Sequence, residues 1–110
     1  MSYIPERGDV VWIQMNPQAG REQAGHRPAF IISPKAYNGK VGLALMCPIT
    51  SKPKGYPFEV EISGKTVSGV ILADQLKSLD WQARGARFEE RADRDTTDEV
   101  LAKIDTLIGN

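Results

Sequence analysis

Arg21, Glu22, Gln23, His26 and Arg27 crowd into the span 21–27, a mixture of guanidinium, carboxylate and imidazole that a plain turn does not require. Further along, Thr50 closes the apolar run LALMCPIT and is followed by Ser51, Lys52 and Lys54. A guanidinium fork fits the oxygens of a phosphate, and a hydroxyl at a strand end is held by a rigid element. Such groups suit cleavage of a phosphodiester whose own substrate carries the nucleophile, as RNA does through its 2′-hydroxyl and DNA does not. The reaction needs a group to take the hydroxyl proton, donors for the crowded oxygens at phosphorus, and a proton for the departing 5′-oxygen. Glu22, Arg27 and Thr50 supply groups of these kinds. Their spacing is not a motif, because a charged, glycine-containing loop is ordinarily just solvated.

Other chemistries find less support. His26 is the only histidine, so a mechanism needing two imidazoles from one chain is excluded and a His-rich metal site is disfavoured. The chain shows no EF-hand loop, no HExxH, no glycine-rich phosphate loop ending in GK[ST] and no evident carboxylate cluster for two metals. Neither metal nor cofactor is expected. The one cysteine, Cys47, lies in an apolar stretch and reads as a small buried hydrophobe.

The chain has 110 residues, 41% of them hydrophobic, which suits a single domain over 1–110 with a small core, and self-association is the natural supplement to so small a core. Apolar runs fall short of the roughly 18 residues that cross a bilayer, and the start lacks a basic region followed by a long apolar one. A cytoplasmic protein without a membrane partner is expected. Formal charge balances at zero, yet it is segregated: eleven basic and seven acidic side chains fall in 1–87, three and seven in 88–110. A positive face is therefore available to phosphates if the acidic C-terminal segment packs elsewhere.

Val10–Ile13, Ala29–Ile32 after Pro28, and Val41–Ile49 read as strands, the last apolar enough to be covered on both faces. Asn38–Gly39 predicts a tight hairpin between the second and third. Ser51–Pro57 reads as a basic loop, Phe58–Ile62 as a strand whose Glu59 and Glu61 face water, and Val70–Ala73 as another that stops near Asp74 and Gln75. Leu76–Trp81 suits a helical turn or a strand, and a last strand is placed within 84–91. Thr96 and Glu99 fit a capping box for a helix with the stripe Val100, Leu101, Ile104, Leu107 and Ile108, which puts Asp98 and Glu99 near its N-terminus. The fold class is mainly β: a bent antiparallel sheet of five to six strands, a small barrel with one C-terminal helix.

The stretches GDVVWI at 8–13, GREQAGHRPAFIISP at 20–34, CPITSKPKGYPFEV at 47–60 and GVILADQLKSLDW at 69–81 resemble, in order, the MazF/PemK family of toxin endoribonucleases. The resemblance spans nearly the whole chain. It implies an SH3-like barrel shared with CcdB-like toxins, and a cytoplasmic homodimeric mRNA interferase that cuts single-stranded RNA without metal and is neutralised by a cognate antitoxin. It also implies a catalytic role for Arg27 and Thr50. Glu22 matches a carboxylate that either accepts the 2′-hydroxyl proton or holds Arg27 in its rotamer. A free Glu titrates near about 4.3 and is a weak base at neutral pH, and pairing with arginine lowers that value further, so the two jobs compete. Arg21 departs from the small polar residue usual there and puts this wiring in doubt.

Gln75 matches a substrate-binding glutamine whose amide reads base edges; otherwise it caps a strand end. His26 either meets RNA by stacking or phosphate contact or bonds to loop backbone. Ser51, Lys52 and Lys54 are candidate RNA contacts, with Arg84 and Arg87 as weaker ones. Trp12 reads as core or subunit interface rather than a stacking platform. Two other functions compete: a toxin of the same shape that poisons DNA gyrase without catalysis, and an inert nucleic-acid-binding module.

Overall fold

The structure, a computed structural model, describes residues 3–15 and 26–109. Arg21, Glu22 and Gln23 lie outside the described residues. Nine elements follow one another: β1 (Asp9–Gln14), β2 (His26–Ile31), α1 (Lys35–Val41), β3 (Ala44–Thr50), β4 (Glu59–Ser63), β5 (Ser68–Leu72), β6 (Lys77–Leu79), β7 (Arg87–Arg91) and α2 (Arg94–Ile108). Seven strands form one curled antiparallel sheet in the order β4-β5-β3-β2-β1-β7, with β6 paired to β3 off that path. The expected mainly β fold with a C-terminal helix is present, with more strands than five or six. The segment 76–81 contributes a strand rather than a helical turn.

The curl is organised by β3. On one flank it pairs with β2 through Ala29↔Pro48 to Ile31↔Met46. On the other it pairs first with β6, at Ala44–Met46, and then with β5, at Ile49 and Thr50. Pro48 falls in the gap between those two pairings, so the strand changes partner at a residue that lacks an N–H. Both faces of β3 are covered as its apolar run requires: Cys47 and Ile49 pack with Val10, Phe30, Val60 and Val100, while Ala44 and Met46 pack with Val11, Ile13, Ile31 and Trp81. Burial pushes the Cys47 thiol up to about 12, with Asp74 adding to the effect, so it stays an inert core group as expected.

Three local expectations are corrected. Asn38–Gly39 makes no hairpin turn; it lies inside α1, which ends at Gly42 in the left-handed conformation (φ 83°). The fully buried Asn38 side chain donates to Pro5 O at 2.9 Å and Ser33 O at 3.0 Å and accepts from the Ser33 hydroxyl, while Trp81 Nε1 donates to its carbonyl at 3.0 Å. These tertiary partners outweigh the turn preference of Asn-Gly. Second, β2 begins before Pro28, not after it: Pro28 pairs with Trp12 on β1, and the β3 ladder starts only at Ala29, so the ring sits where the strand has one partner.

Third, α2 starts earlier than the capping box implied. Asp93 is the N-cap, its side chain accepting from Thr96 N at 2.9 Å, and Asp95 rather than Asp98 or Glu99 occupies the first turn. Only Val100 and Ile104 of the expected stripe are buried; Leu107 and Ile108 are 50% and 74% exposed.

The knot around Asn38 generates a direct test. Asn38→Ala strands the Pro5 and Ser33 carbonyls without a donor, and chemical denaturation is expected to show a loss of about 2–3 kcal/mol.

Candidate functional site

Arg27 and Thr50 meet because β2 and β3 are antiparallel neighbours. The β2–β3 ladder ends at Ala29↔Pro48, and Arg27 and Thr50 each lie two residues beyond that last pair, on the same side of it. Both line a groove of about 440 Å³. Its floor comes from Trp12 on β1, Pro28 on β2 and Ile49 on β3, its near rim adds Ser51 and Lys52, and the opposite wall is Thr66, Val67 and Ser68. Arg27 belongs to a strand rather than the loop assigned from sequence, paired with Ile13 across β1, and it is exposed.

Thr50 is half-buried, and its Oγ1 accepts a hydrogen bond from Lys52 N at 3.2 Å. Taking that bond on a lone pair leaves the hydroxyl hydrogen free to donate to an incoming oxygen. The Thr50 backbone is fixed from behind by β5. Gly69 (φ 146°) passes so close that a Cβ there would overlap the Thr50 carbonyl oxygen and sit 3.0 Å from the carbonyl carbon. Only glycine permits that approach.

A second hollow, about 320 Å³, shares Thr50 and Lys52 with the first and adds Lys54, Tyr56, Glu59, Leu72 and Gln75. Glu59 was expected to face water; it is half-buried and accepts from Lys54 N at 2.8 Å and Gly55 N at 3.0 Å, folding the basic loop back on β4. Lys103 on α2 adds a bond to Pro57 O at 2.7 Å. Tyr56 donates to Asp74 Oδ1 at 2.8 Å, and that bond holds its phenol above the usual range, so it remains a neutral donor. Gln75 is exposed beside it, and its backbone N–H donates to Leu72 O at 3.0 Å.

Other candidates stand apart. His26 is exposed opposite Gln14 at the start of β2, and Arg87 is exposed opposite Trp12. Arg84 lines neither groove; its guanidinium bonds the Gln14 and Met15 carbonyls, both at 3.1 Å, and secures the end of β1. Trp12, read as core or subunit interface, is half-buried and lines the groove.

A larger hollow, about 770 Å³, lies beyond the opposite wall and is lined by Glu61, Glu89, Glu90 and Asp93 against Lys65 and Arg91. Its carboxylates would repel a polyanion, so volume does not decide the site; the basic side chains gather instead around Arg27 and Thr50. Sequence reasoning missed the wall at 66–68, Tyr56, Asp74 and the structural use of Glu59. The glycines at 64 and 69 were the available signal for a close approach. Among the described residues, no three His, Cys, Asp or Glu side chains converge as a metal site requires.

A family profile described as PemK-like, MazF-like toxin of type II toxin-antitoxin system matches residues 6–108. The chain belongs to that family. Among its relatives is the endoribonuclease toxin MazF of Escherichia coli K12, 49% identical over 107 residues that cover 97% of this chain and 96% of the relative. The solved structure of MazF from Deinococcus radiodurans superposes with a TM-score of 0.89 at 49% identity, covering 99% of this chain and all of that one (100%). A MazE–MazF structure from the same organism gives 0.87 at 44% identity, with 98% of each chain covered. By class, this member of the PemK-like, MazF-like family is an endoribonuclease.

The contact at Gly69 predicts a coupled loss. Gly69→Ala forces a Cβ against the Thr50 carbonyl at a backbone angle unsuited to alanine, and is expected to lower RNA cleavage at least about tenfold and stability by about 1–3 kcal/mol. Cleavage rates alongside a denaturation curve check both.

Proposed function

We propose that this toxin endoribonuclease cuts single-stranded mRNA at short sequences without a metal ion, by attack of the RNA's own 2′-hydroxyl on the adjacent phosphorus. The bond from phosphorus to the 5′-oxygen breaks, leaving a 2′,3′-cyclic phosphate and a 5′-hydroxyl. The observation that carries the reading is that Arg27 of β2 and Thr50 of the neighbouring β3 line one groove together with Lys52.

Arg27 stabilises the negative charge that grows on the non-bridging oxygens, and its exposed guanidinium presents a bidentate fork to them. Thr50 donates its free hydroxyl hydrogen to the phosphate and positions it. A guanidinium holds its proton tightly and is a poor proton donor, so electrostatics is its main task. Glu22 either accepts the 2′-hydroxyl proton or orients Arg27. Ser51, Lys52 and Lys54 hold phosphates on either side of the scissile one, and Gln75 with Tyr56 meets a base. His26 extends the contact surface at the start of β2.

The acting form is a cytoplasmic homodimer, supported by the resemblance and by the small core of the single chain. Among the described residues, no helix is long and apolar enough to cross a membrane. Its partner is a cognate antitoxin whose acidic, flexible segment enters the same basic groove and competes with RNA.

Arg27→Ala is expected to retain the fold and slow cleavage by about 100- to 1,000-fold. RNA-end sequencing with excess EDTA tests the mechanism: cyclic phosphate and 5′-hydroxyl ends are expected, whereas 5′-phosphate ends or a halt without divalent ions would overturn it. A substrate with 2′-deoxyribose at the cut site should resist cleavage. For the partner, an acidic antitoxin peptide is expected to displace a fluorescent uncleavable RNA; simultaneous binding with undiminished cleavage would reject the shared groove.

A further inference from the structure

Glu90 lies on β7, away from the catalytic groove, yet its carboxylate collects four hydrogen bonds from a single loop: Lys65 N at 2.8 Å, Thr66 N at 3.0 Å, Val67 N at 2.8 Å and the Thr66 hydroxyl at 3.1 Å. That loop joins β4 to β5, and its Thr66 and Val67, with Ser68, form the wall facing Arg27 and Thr50. Burial alone would push the Glu90 carboxyl up, but the loop amides outweigh it and hold the group below its ordinary value, so the clamp is fully charged at neutral pH.

Two details show that the contact is built. Val10 pairs with Glu90 but Val11 with Phe88, so Glu89 is an extra residue in β7. In an unbroken strand residues 88 and 90 share a face. The bulge separates them: Phe88 lies opposite Val11 with its ring 5.8 Å edge-on from Tyr3, while Glu90 lies opposite Val10, on the side of the sheet that packs against Val60 and Ile62. Gly64 supplies the second detail, since a Cβ there would overlap the Glu90 carboxylate and stand 2.6 Å from its Cδ.

We infer that Glu90 is a positioning residue for the RNA substrate: through the loop at 64–67 it fixes the groove wall against which RNA is held opposite Arg27 and Thr50. The inference rests on the endoribonuclease reading. It runs against simple electrostatics, because a carboxylate near a polyanion's groove weakens binding, and its removal should then tighten it. As a clamp, its removal loosens the wall and weakens binding. The sign of the effect separates the two.

The test is steady-state cleavage of an RNA oligonucleotide by the full-length protein and its Glu90→Ala, Glu90→Gln and Gly64→Ala variants, with amide hydrogen exchange at residues 65–67. Glu90→Ala is expected to raise KM about five- to tenfold with kcat within about twofold, and to speed exchange of the three amides. Glu90→Gln, which keeps one acceptor oxygen, should fall between. Gly64→Ala keeps the charge while its Cβ drives the loop off the carboxylate, so the same rise in KM is expected; it also carries the test if Glu90→Ala fails to fold. A KM that stays level or falls, a loss confined to kcat, or a folded Gly64→Ala variant that behaves as the unaltered protein would overturn the clamp. An unaltered protein that leaves RNA uncut would overturn the endonuclease reading itself, and with it the substrate named for the wall.

Discussion

The working face depends on β3 ending at Thr50 with its backbone held by β5, where Thr50 pairs with Val70. On one side stands β2, which brings Arg27; on the other, β5 presses Gly69 against the Thr50 carbonyl. Without the pairing to β5 the terminal residue would fray, and a hydroxyl that wanders by an ångström is a poor match for charge developing at phosphorus. The change of partner across Pro48 makes this possible, since it curls the sheet enough for β4 and β5 to close over the end of β3 while β6 occupies its beginning.

Charge follows from the same topology. The acidic C-terminal segment of the chain supplies most of β7 and the start of α2, and its Glu89, Glu90 and Asp93 line a hollow on the far side of the loop at 64–67. Arg27, Lys52 and Lys54 gather on the near side. A neutral protein thus presents a cationic groove and an anionic hollow separated by a single loop, so of the two a polyanion favours the groove. The loop that divides them is tied to the acidic side through Glu90, which turns part of the negative charge into backbone hydrogen bonds rather than leaving it to repel substrate.

Strand identities were legible because apolar runs such as Val10–Ile13 and Val41–Ile49 admit few other packings, although Val41 closes α1 and β3 starts only at Ala44; the covered faces of β3 follow from its lack of alternation. Asn38–Gly39 misled because the turn preference of that pair is local, whereas Asn38 is held by Pro5 and Ser33, far apart in sequence. Proline placed the start of β2 too late for a similar reason: whether a missing N–H matters depends on which flank is paired, and sequence does not carry that. Arg27 and Thr50 were legible by type and resemblance, but their juxtaposition is a matter of β2–β3 register. The Glu90 contact could not be read at all, because a bulge of one residue decides which face Glu90 occupies and leaves no mark on an alternating pattern.

Placing Arg27 on a strand changes how its contribution should be understood. A loop arginine must be ordered when substrate binds, and the lost freedom subtracts from the stabilisation it offers. Here the backbone of Arg27 is already fixed by its pairing with Ile13, so only side-chain rotamers remain to be settled. The guanidinium stays exposed and hydrated until a phosphate displaces that water. On the proposed mechanism, Arg27 and the phosphate both surrender hydration on binding, and what is gained grows as charge accumulates on the phosphate oxygens toward the transition state. A fixed cation of this kind stabilises such charge without reorganising when it appears, which is how the proposed mechanism accelerates the reaction in a small groove with no demand for a strong base or acid on its described strands.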